Sequence, residues 1–199
     1  MTIIFLNGAG SAGKSSIAKA IQELADEPYL TIGFDVFYNM MPWKYVGSGA
    51  KAKEGFSFVT SQDSEGKTVT RVNTGNFGAK VNNIIPKVIK TMADDNFNII
   101  IDEILFGDDQ LKLYMRLLQN HVVYFVGVKC SLEALEEREY LRGDRLTGLS
   151  REQVNKVHEG FRPYDLTVDT THNSCFNCAK SILEFTKKIP NPKGFKSNV

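Results

Sequence analysis

Near the start of the chain, Gly8-Ala9-Gly10-Ser11-Ala12-Gly13-Lys14-Ser15 fits the pattern G-x-x-x-x-G-K-[ST]. No other feature of the sequence constrains the fold as strongly. Glycines at this spacing let successive backbone N–H groups turn inward and surround phosphate oxygens. Such a loop works between a strand and a helix, and the flanks comply. Ile3-Ile4-Phe5-Leu6 reads as a buried strand, and residues 14–25 carry Ile17, Ala18, Ile21, Leu24 and Ala25 at helical spacing. The helix adds the positive end of its dipole. Gly8, Ala9, Gly10, Ser11, Ala12, Gly13, Lys14, Ser15 and Ser16 are therefore the candidate nucleotide-binding residues. The Lys14 ammonium is expected on the β- and γ-phosphates and the Ser15 hydroxyl on Mg²⁺.

The rest of the chain repeats this alternation. Further strands are predicted over residues 29–34, ending at Asp35, over 99–101, ending at Asp102, and over 122–129 and 166–168. Helices are predicted over 76–94 (through Pro86), over 108–119, over 132–141 with Ser131 as N-cap, and over 174–188. Ser150-Arg151-Glu152-Gln153 has the form of a capping box opening a helix to about His158. The pattern is that of an α/β fold with a mostly parallel sheet between helices. Residues 43–74 break it: 56–59 and 68–70 bracket a polar turn, predicting a small inserted hairpin. One domain over residues 1–189 is expected, with a frayed Pro- and Lys-rich tail at 190–199.

Composition narrows the function. With 24 Lys+Arg against 23 Asp+Glu, the net charge of +1 argues against a dedicated nucleic-acid binder. Three cysteines make no disulfide framework, and no apolar run reaches the roughly 18 residues of a membrane helix. A cytoplasmic setting without a membrane partner is the expectation.

Several side chains fit phosphoryl chemistry. Ile99-Ile100-Ile101-Asp102 puts an acid at the carboxyl end of a strand, the usual place for a carboxylate that holds Mg²⁺. Glu103 beside it is a candidate for orienting water. Asp35 should reach the same sheet edge, where open α/β sheets bind ligands, and is the candidate base for an acceptor hydroxyl; capping a short helix is the alternative role. Arg142-Gly143-Asp144-Arg145 suits a lid over 138–150 that clamps phosphates, with Arg138 one turn earlier on the same face. Trp43, Phe37, Tyr38, Met40 and Met41 are candidates for an apolar acceptor pocket, with core packing as the alternative. Cys175 and Cys178 have CxxC spacing without a second pair, which points to packing rather than zinc. His158 either closes the site or makes a helix-end hydrogen bond. Asn155-Lys156-Val157-His158 begins like a guanine-reading motif but lacks its acid, which counts against a GTPase switch.

A family resemblance rests on residues spread over almost the whole chain. Leu6-Asn7-Gly8 runs into the phosphate loop. Gly33-Phe34-Asp35 precedes Met41-Pro42, and Ile99 to Asp102 precedes Phe106-Gly107. Val126-Gly127-Val128-Lys129-Cys130, Arg142-Gly143-Asp144-Arg145, Val157-His158-Glu159-Gly160 and Val168-Asp169-Thr170-Thr171-His172 follow in order. In these residues the chain resembles the chloramphenicol 3-O-phosphotransferases and their relatives. The resemblance implies a P-loop kinase fold, similar to adenylate and shikimate kinases, with five parallel strands in the order 2-3-1-4-5. It implies transfer of the ATP γ-phosphate to a primary alcohol of a small, partly aromatic antibiotic. Asp35 would be the base, Lys14 the P-loop lysine and Arg142 and Arg145 the lid, with Thr170 and Thr171 near the adenine. Residues 43–80 depart from the family pattern beside the drug pocket, which points to a different hydroxyl acceptor. A nucleoside or nucleotide kinase and a nucleotide-binding regulatory module without transfer activity are the alternative readings.

Overall fold

A computed structural model describes residues 1–143, 146–154, 156–159 and 163–196. Along the chain the elements run β1 (Ile3–Asn7), α1 (Lys14–Leu24), β2 (Tyr29–Gly33) and α2 (Phe34–Met40), then a 3₁₀ turn (Trp43–Tyr45). β3 (Val46–Gly47), β4 (Phe56–Gln62), β5 (Thr68–Thr74) and α3 (Asn76–Asp94) follow. The second half holds β6 (Asn98–Glu103), α4 (Asp108–Leu118), β7 (Val123–Lys129), α5 (Leu132–Arg142), α6 (Leu149–Gln153), β8 (Leu166–Asp169) and α7 (Cys175–Lys188).

The main sheet has the order β2-β6-β1-β7-β8. Every pairing in it is parallel. Counting its own strands along the chain gives 2-3-1-4-5, as expected. Side chains alternate across a strand, so each strand serves two cores. Ile3, Phe5, Ile99, Ile101 and Phe125 meet Ile85 and Ile89 of α3 and Tyr114 and Leu118 of α4. Ile4, Leu6, Ile100, Val126 and Val128 meet Ile17 and Ile21 of α1, Leu135 of α5 and Ile182 of α7. Continuous β-branched runs are what a strand covered on both faces requires. No helix among the described residues is long and apolar enough to cross a membrane.

Four expectations are corrected. β2 stops at Gly33, so Asp35 stands in the first turn of α2 and does not end the strand. The insertion is a three-stranded sheet: β4 and β5 pair antiparallel from Phe56↔Thr74 to Gln62↔Thr68, and β3 adds in parallel to β4. Ser150 does not cap a helix. α6 opens after Gly148, whose φ of 91° lies in the left-handed region, and closes at Gln153. The tail does not fray through Lys196. Phe195 is 2% exposed and its ring centroid lies 5.9 Å from both Phe5 and Phe125. The Asp165 carboxylate accepts from the backbone of Lys193 and Gly194 and holds this segment in place.

Candidate active site

The loop between β1 and α1 turns through two left-handed residues, Ser11 (φ 62°) and Gly13 (φ 87°). The positive φ favours glycine at Gly13, where a Cβ would also crowd Cys175 Sγ at 3.0 Å. Lys14 is buried, and its ammonium donates to the carbonyls of Gly8 (2.9 Å) and Ala9 (3.0 Å). It also lies 3.6 Å from Asp102 Oδ1. Ser15 Oγ donates to Asp102 Oδ2 at 2.6 Å. A hydroxyl and a carboxylate meeting at the mouth of a phosphate loop form an oxygen-donor pair suited to a hard cation that keeps most of its water. Ser11 Oγ is buried without a hydrogen-bond partner among the described residues. A buried hydroxyl in that condition costs free energy until an acceptor such as a phosphate oxygen arrives.

Asp35 reaches the same place through close strand contact. Gly33 pairs with Asp102 in the β2–β6 register, and a Cβ at Gly33 would fall 1.9 Å from the Asp102 carbonyl oxygen. The absence of that carbon lets the two strand ends meet and sets the first turn of α2 over the sheet edge. The N-cap position is Gly33, with no side-chain cap, so Asp35 does not serve the helix as a cap. Asp35, Lys14, Ser15, Ser16 and Asp102 line one cavity of about 630 Å³.

The apolar wall of that cavity differs from expectation. Phe34, Phe56, Val72 and Phe106 line it. Trp43 is 72% exposed and Met40 is similarly open, while Met41 and Tyr38 pack with Phe56 and Phe37 packs on the main core. α2 gives only Phe34; the inserted strands β4 and β5 supply Phe56 and Val72, and the segment after β6 supplies Phe106. Asn82 of α3 also faces the cavity, and its Oδ1 is buried without a partner among the described residues.

Arg138 and Arg142 line the cavity, while Arg145 lies outside the described residues. Arg138 donates to the Thr170 carbonyl (2.7 Å) and hydroxyl (3.1 Å). Thr170 is buried, and its hydroxyl donates to the Ala12 carbonyl at 2.9 Å. Thr171 Oγ1 accepts from the backbone of Ser131 at 2.8 Å. Thr170 therefore braces the loop from behind and Thr171 holds the start of α5; neither lines the cavity, where both were expected beside the base. Asn173, Ser174 and Cys175, a few residues on, form the cavity wall instead. Cys178 is buried among apolar side chains of α1 and β8.

Of the remaining candidates, Glu103 also lines the cavity, while Asn7 and His158 stand behind it. Glu103 is buried, accepts from the Tyr114 hydroxyl at 2.8 Å and is pushed up to about 7 by burial. Asn7, at the end of β1, ties Val157 O and Tyr164 Oη to the backbone N–H of Leu105. His158 Nδ1 lies 2.8 Å from Tyr164 Oη, so the histidine joins this support behind the loop and does not close the site. Burial lowers its pKa. Asn155 lies outside the described residues.

The sequence gives no local sign of one further contact. Gly10 N–H donates to Gln153 Oε1 at 2.7 Å, and Ser150 Oγ donates to Gly10 O at 3.1 Å. The buried Glu139 carboxylate accepts from the backbone of Gly148 and Ser150 and braces α6. The same segment holds the inserted sheet. Thr70 N donates to Gly148 O and Thr70 Oγ1 to Thr147 O, and Arg71 pairs with Glu152 at 2.7 Å. Arg151 joins Glu136 of α5 (2.6 Å) to Asp63 in the β4–β5 turn (2.9 Å).

Comparison with known proteins agrees with this geometry. The model of the chloramphenicol phosphotransferase-like protein family matches residues 1–187. A Mycobacterium tuberculosis (strain H37Rv) protein, proposed by its name to be an O-phosphotransferase, is 29% identical over 193 residues. The match covers 97% of this chain and 85% of that protein. Among solved structures, the M. tuberculosis APS kinase CysC in complex with AMPPNP and APS superposes with a TM-score of 0.59 at 16% identity, covering 94% of this chain and 97% of the other. Shikimate kinase from Acinetobacter baumannii gives 0.54 at 14% identity, covering 94% and 93%. At such identities the structural likeness shows the fold, that of the P-loop kinases. Its fold and the match over residues 1–187 place this chain in the chloramphenicol phosphotransferase-like family.

Proposed function

We propose that the protein transfers the γ-phosphate of ATP to a hydroxyl of a small molecule. The observation that carries this reading is the shared cavity: Lys14, Ser15, Asp102 and Asp35 all line it, together with the apolar side chains of Phe34, Phe56, Val72 and Phe106. The acceptor oxygen attacks the γ-phosphorus in line, its proton passing to Asp35. The bond to the bridging oxygen breaks, and the electron pair leaves with ADP. Lys14 moves from the Gly8 and Ala9 carbonyls to the phosphates, and Arg138 and Arg142 face the same charge. Ser15 and Asp102 fit Mg²⁺, which when bound neutralises charge on the β- and γ-phosphates. Residues 138–150 act as a lid on one domain, in a cytoplasmic setting. The aromatic wall suits an acceptor with an apolar body, and chloramphenicol is the first to test.

Incubation with γ-labelled ATP and a panel of small alcohols tests the reading. Label is expected on an aromatic or alkyl alcohol. Asp35→Asn should retain AMPPNP affinity while turnover falls by roughly 10²–10⁴-fold. Label carried to nucleosides would replace the reading with a nucleoside kinase. Tight AMPPNP binding with no transfer to any hydroxyl would replace it with a regulatory module.

A further inference from the structure

Gln153 is 7% exposed, lies on the last turn of α6 and lines the cavity beside Gly10, Ser11 and Lys14. Its amide orientation is settled by chemistry. The Gly10 N–H can only donate, so the atom it meets at 2.7 Å is the amide oxygen, and the NH₂ group is the other terminal atom. The amide nitrogen has no hydrogen bond among the described partners of this side chain and is not enclosed. α6 is fixed on its other side by Ser150, whose backbone N–H donates to the Glu139 carboxylate and whose hydroxyl proton is shared between that carboxylate and Gly10 O. Gln153 is thus presented to the loop on a braced support.

The position along the loop decides which phosphate it meets. A P-loop lysine serves the β- and γ-phosphates. The Lys14 ammonium rests on the carbonyls of Gly8 and Ala9, so that half of the loop is the γ end, and Gly10 adjoins it. We propose that Gln153 contacts the transferring group. With Oε1 held by Gly10, Nε2 donates to a γ-phosphate oxygen. This deepens the reading of the protein as an ATP-dependent phosphotransferase and rests on it. The contact adds a neutral donor to the charge of Lys14, from an element that also carries the inserted sheet.

The test needs no acceptor. Wild type, Gln153→Glu, Gln153→Met and Ser150→Ala are titrated calorimetrically with Mg²⁺-AMPPNP and with Mg²⁺-ADP. Glutamate keeps an acceptor for Gly10 but loses the donor; methionine is neutral and has neither. Both Gln153 variants are expected to lose AMPPNP affinity about 10- to 100-fold, the worth of a hydrogen bond to a charged group, with a much smaller change for ADP. Ser150→Ala, which removes a contact to the Gly10 carbonyl but leaves the Gln153 amide in place, should shift the two nucleotides equally. An unchanged AMPPNP-to-ADP ratio in either Gln153 variant overturns the proposal. So does a loss confined to glutamate, since charge repulsion alone produces that. A wild type that binds neither nucleotide sinks the phosphotransferase reading itself, a separate and recognisable result.

Discussion

The Ser15 hydroxyl donates to the Asp102 carboxylate at 2.6 Å, joining the first turn of α1 to the end of β6. The same carboxylate lies 3.6 Å from the Lys14 ammonium. One acid thus holds both the hydroxyl and the cation that the proposed reaction needs. Asp102→Asn should lower turnover by roughly 10²-fold, the usual scale for losing one element of the electrostatic support of a transition state. Steady-state rates across a Mg²⁺ titration check this. A variant with wild-type rate and metal dependence would remove Asp102 from the mechanism.

Gly33 carries a second prediction. Its φ of 175° is extended backbone open to any residue, so its requirement for glycine is purely one of contact. A Cβ 1.9 Å from the Asp102 carbonyl oxygen cannot be accommodated unless β2 and β6 separate. Gly33→Ala should cost about 1–3 kcal/mol in urea unfolding, as overpacking does. It should also lower turnover more than nucleotide affinity, because Asp35 moves with the strand end while the phosphate loop stays.

Phe195 gives a stability prediction far from the site. Its ring packs against Phe5 and Phe125 beneath the sheet. Phe195→Ala should destabilise the protein by about 3–5 kcal/mol, the range for deleting a buried aromatic ring. Thermal and denaturant melts read the effect. Loss of less than about 1 kcal/mol would show that the segment after α7 is not part of the core.

His158 predicts a pH dependence. Burial and Lys129 hold its pKa below the ordinary 6.5, and Nδ1 lies 2.8 Å from the Tyr164 hydroxyl. Between the folded and unfolded values the unfolded chain binds more protons. Stability therefore rises with pH across that window and is lost as pH falls from about 6.5 through the folded value. His158→Gln should flatten this slope. Urea midpoints at pH 5 and pH 7.5 measure it, and equal slopes for variant and wild type would assign the titration elsewhere.

Sequence patterning revealed those parts of the site that are local. Strand, loop and helix around Lys14 are contiguous, and the three isoleucines before Asp102 mark a strand buried on both faces. Ser131 accepts from the backbone three residues on, as its position foretells, and Ser174, expected as the first helical residue, does the same as the N-cap of α7. The parts that failed are non-local. Ser150 and Gln153 have the spacing of a capping box, yet Gly10, some 140 residues earlier in the chain, takes both side chains. Residue pattern alone does not distinguish a self-contained helix start from one turned toward a distant loop. β3 has two residues, too few to show any period. Phe195 is a single aromatic among Pro, Lys and Gly, and the contacts that keep its segment down, the Asp165 carboxylate and the rings of Phe5 and Phe125, are distant in sequence.

The bonds from Thr70 to Thr147 and Gly148, with the Arg151 bridge to Asp63, make the inserted strands and α6 a single canopy. On the proposed reading, an altered insertion that admits a new acceptor would also move α6 and its contact with the phosphate loop at Gly10. Acceptor choice and nucleotide grip would diverge together among relatives of this chain, because they hang from one frame.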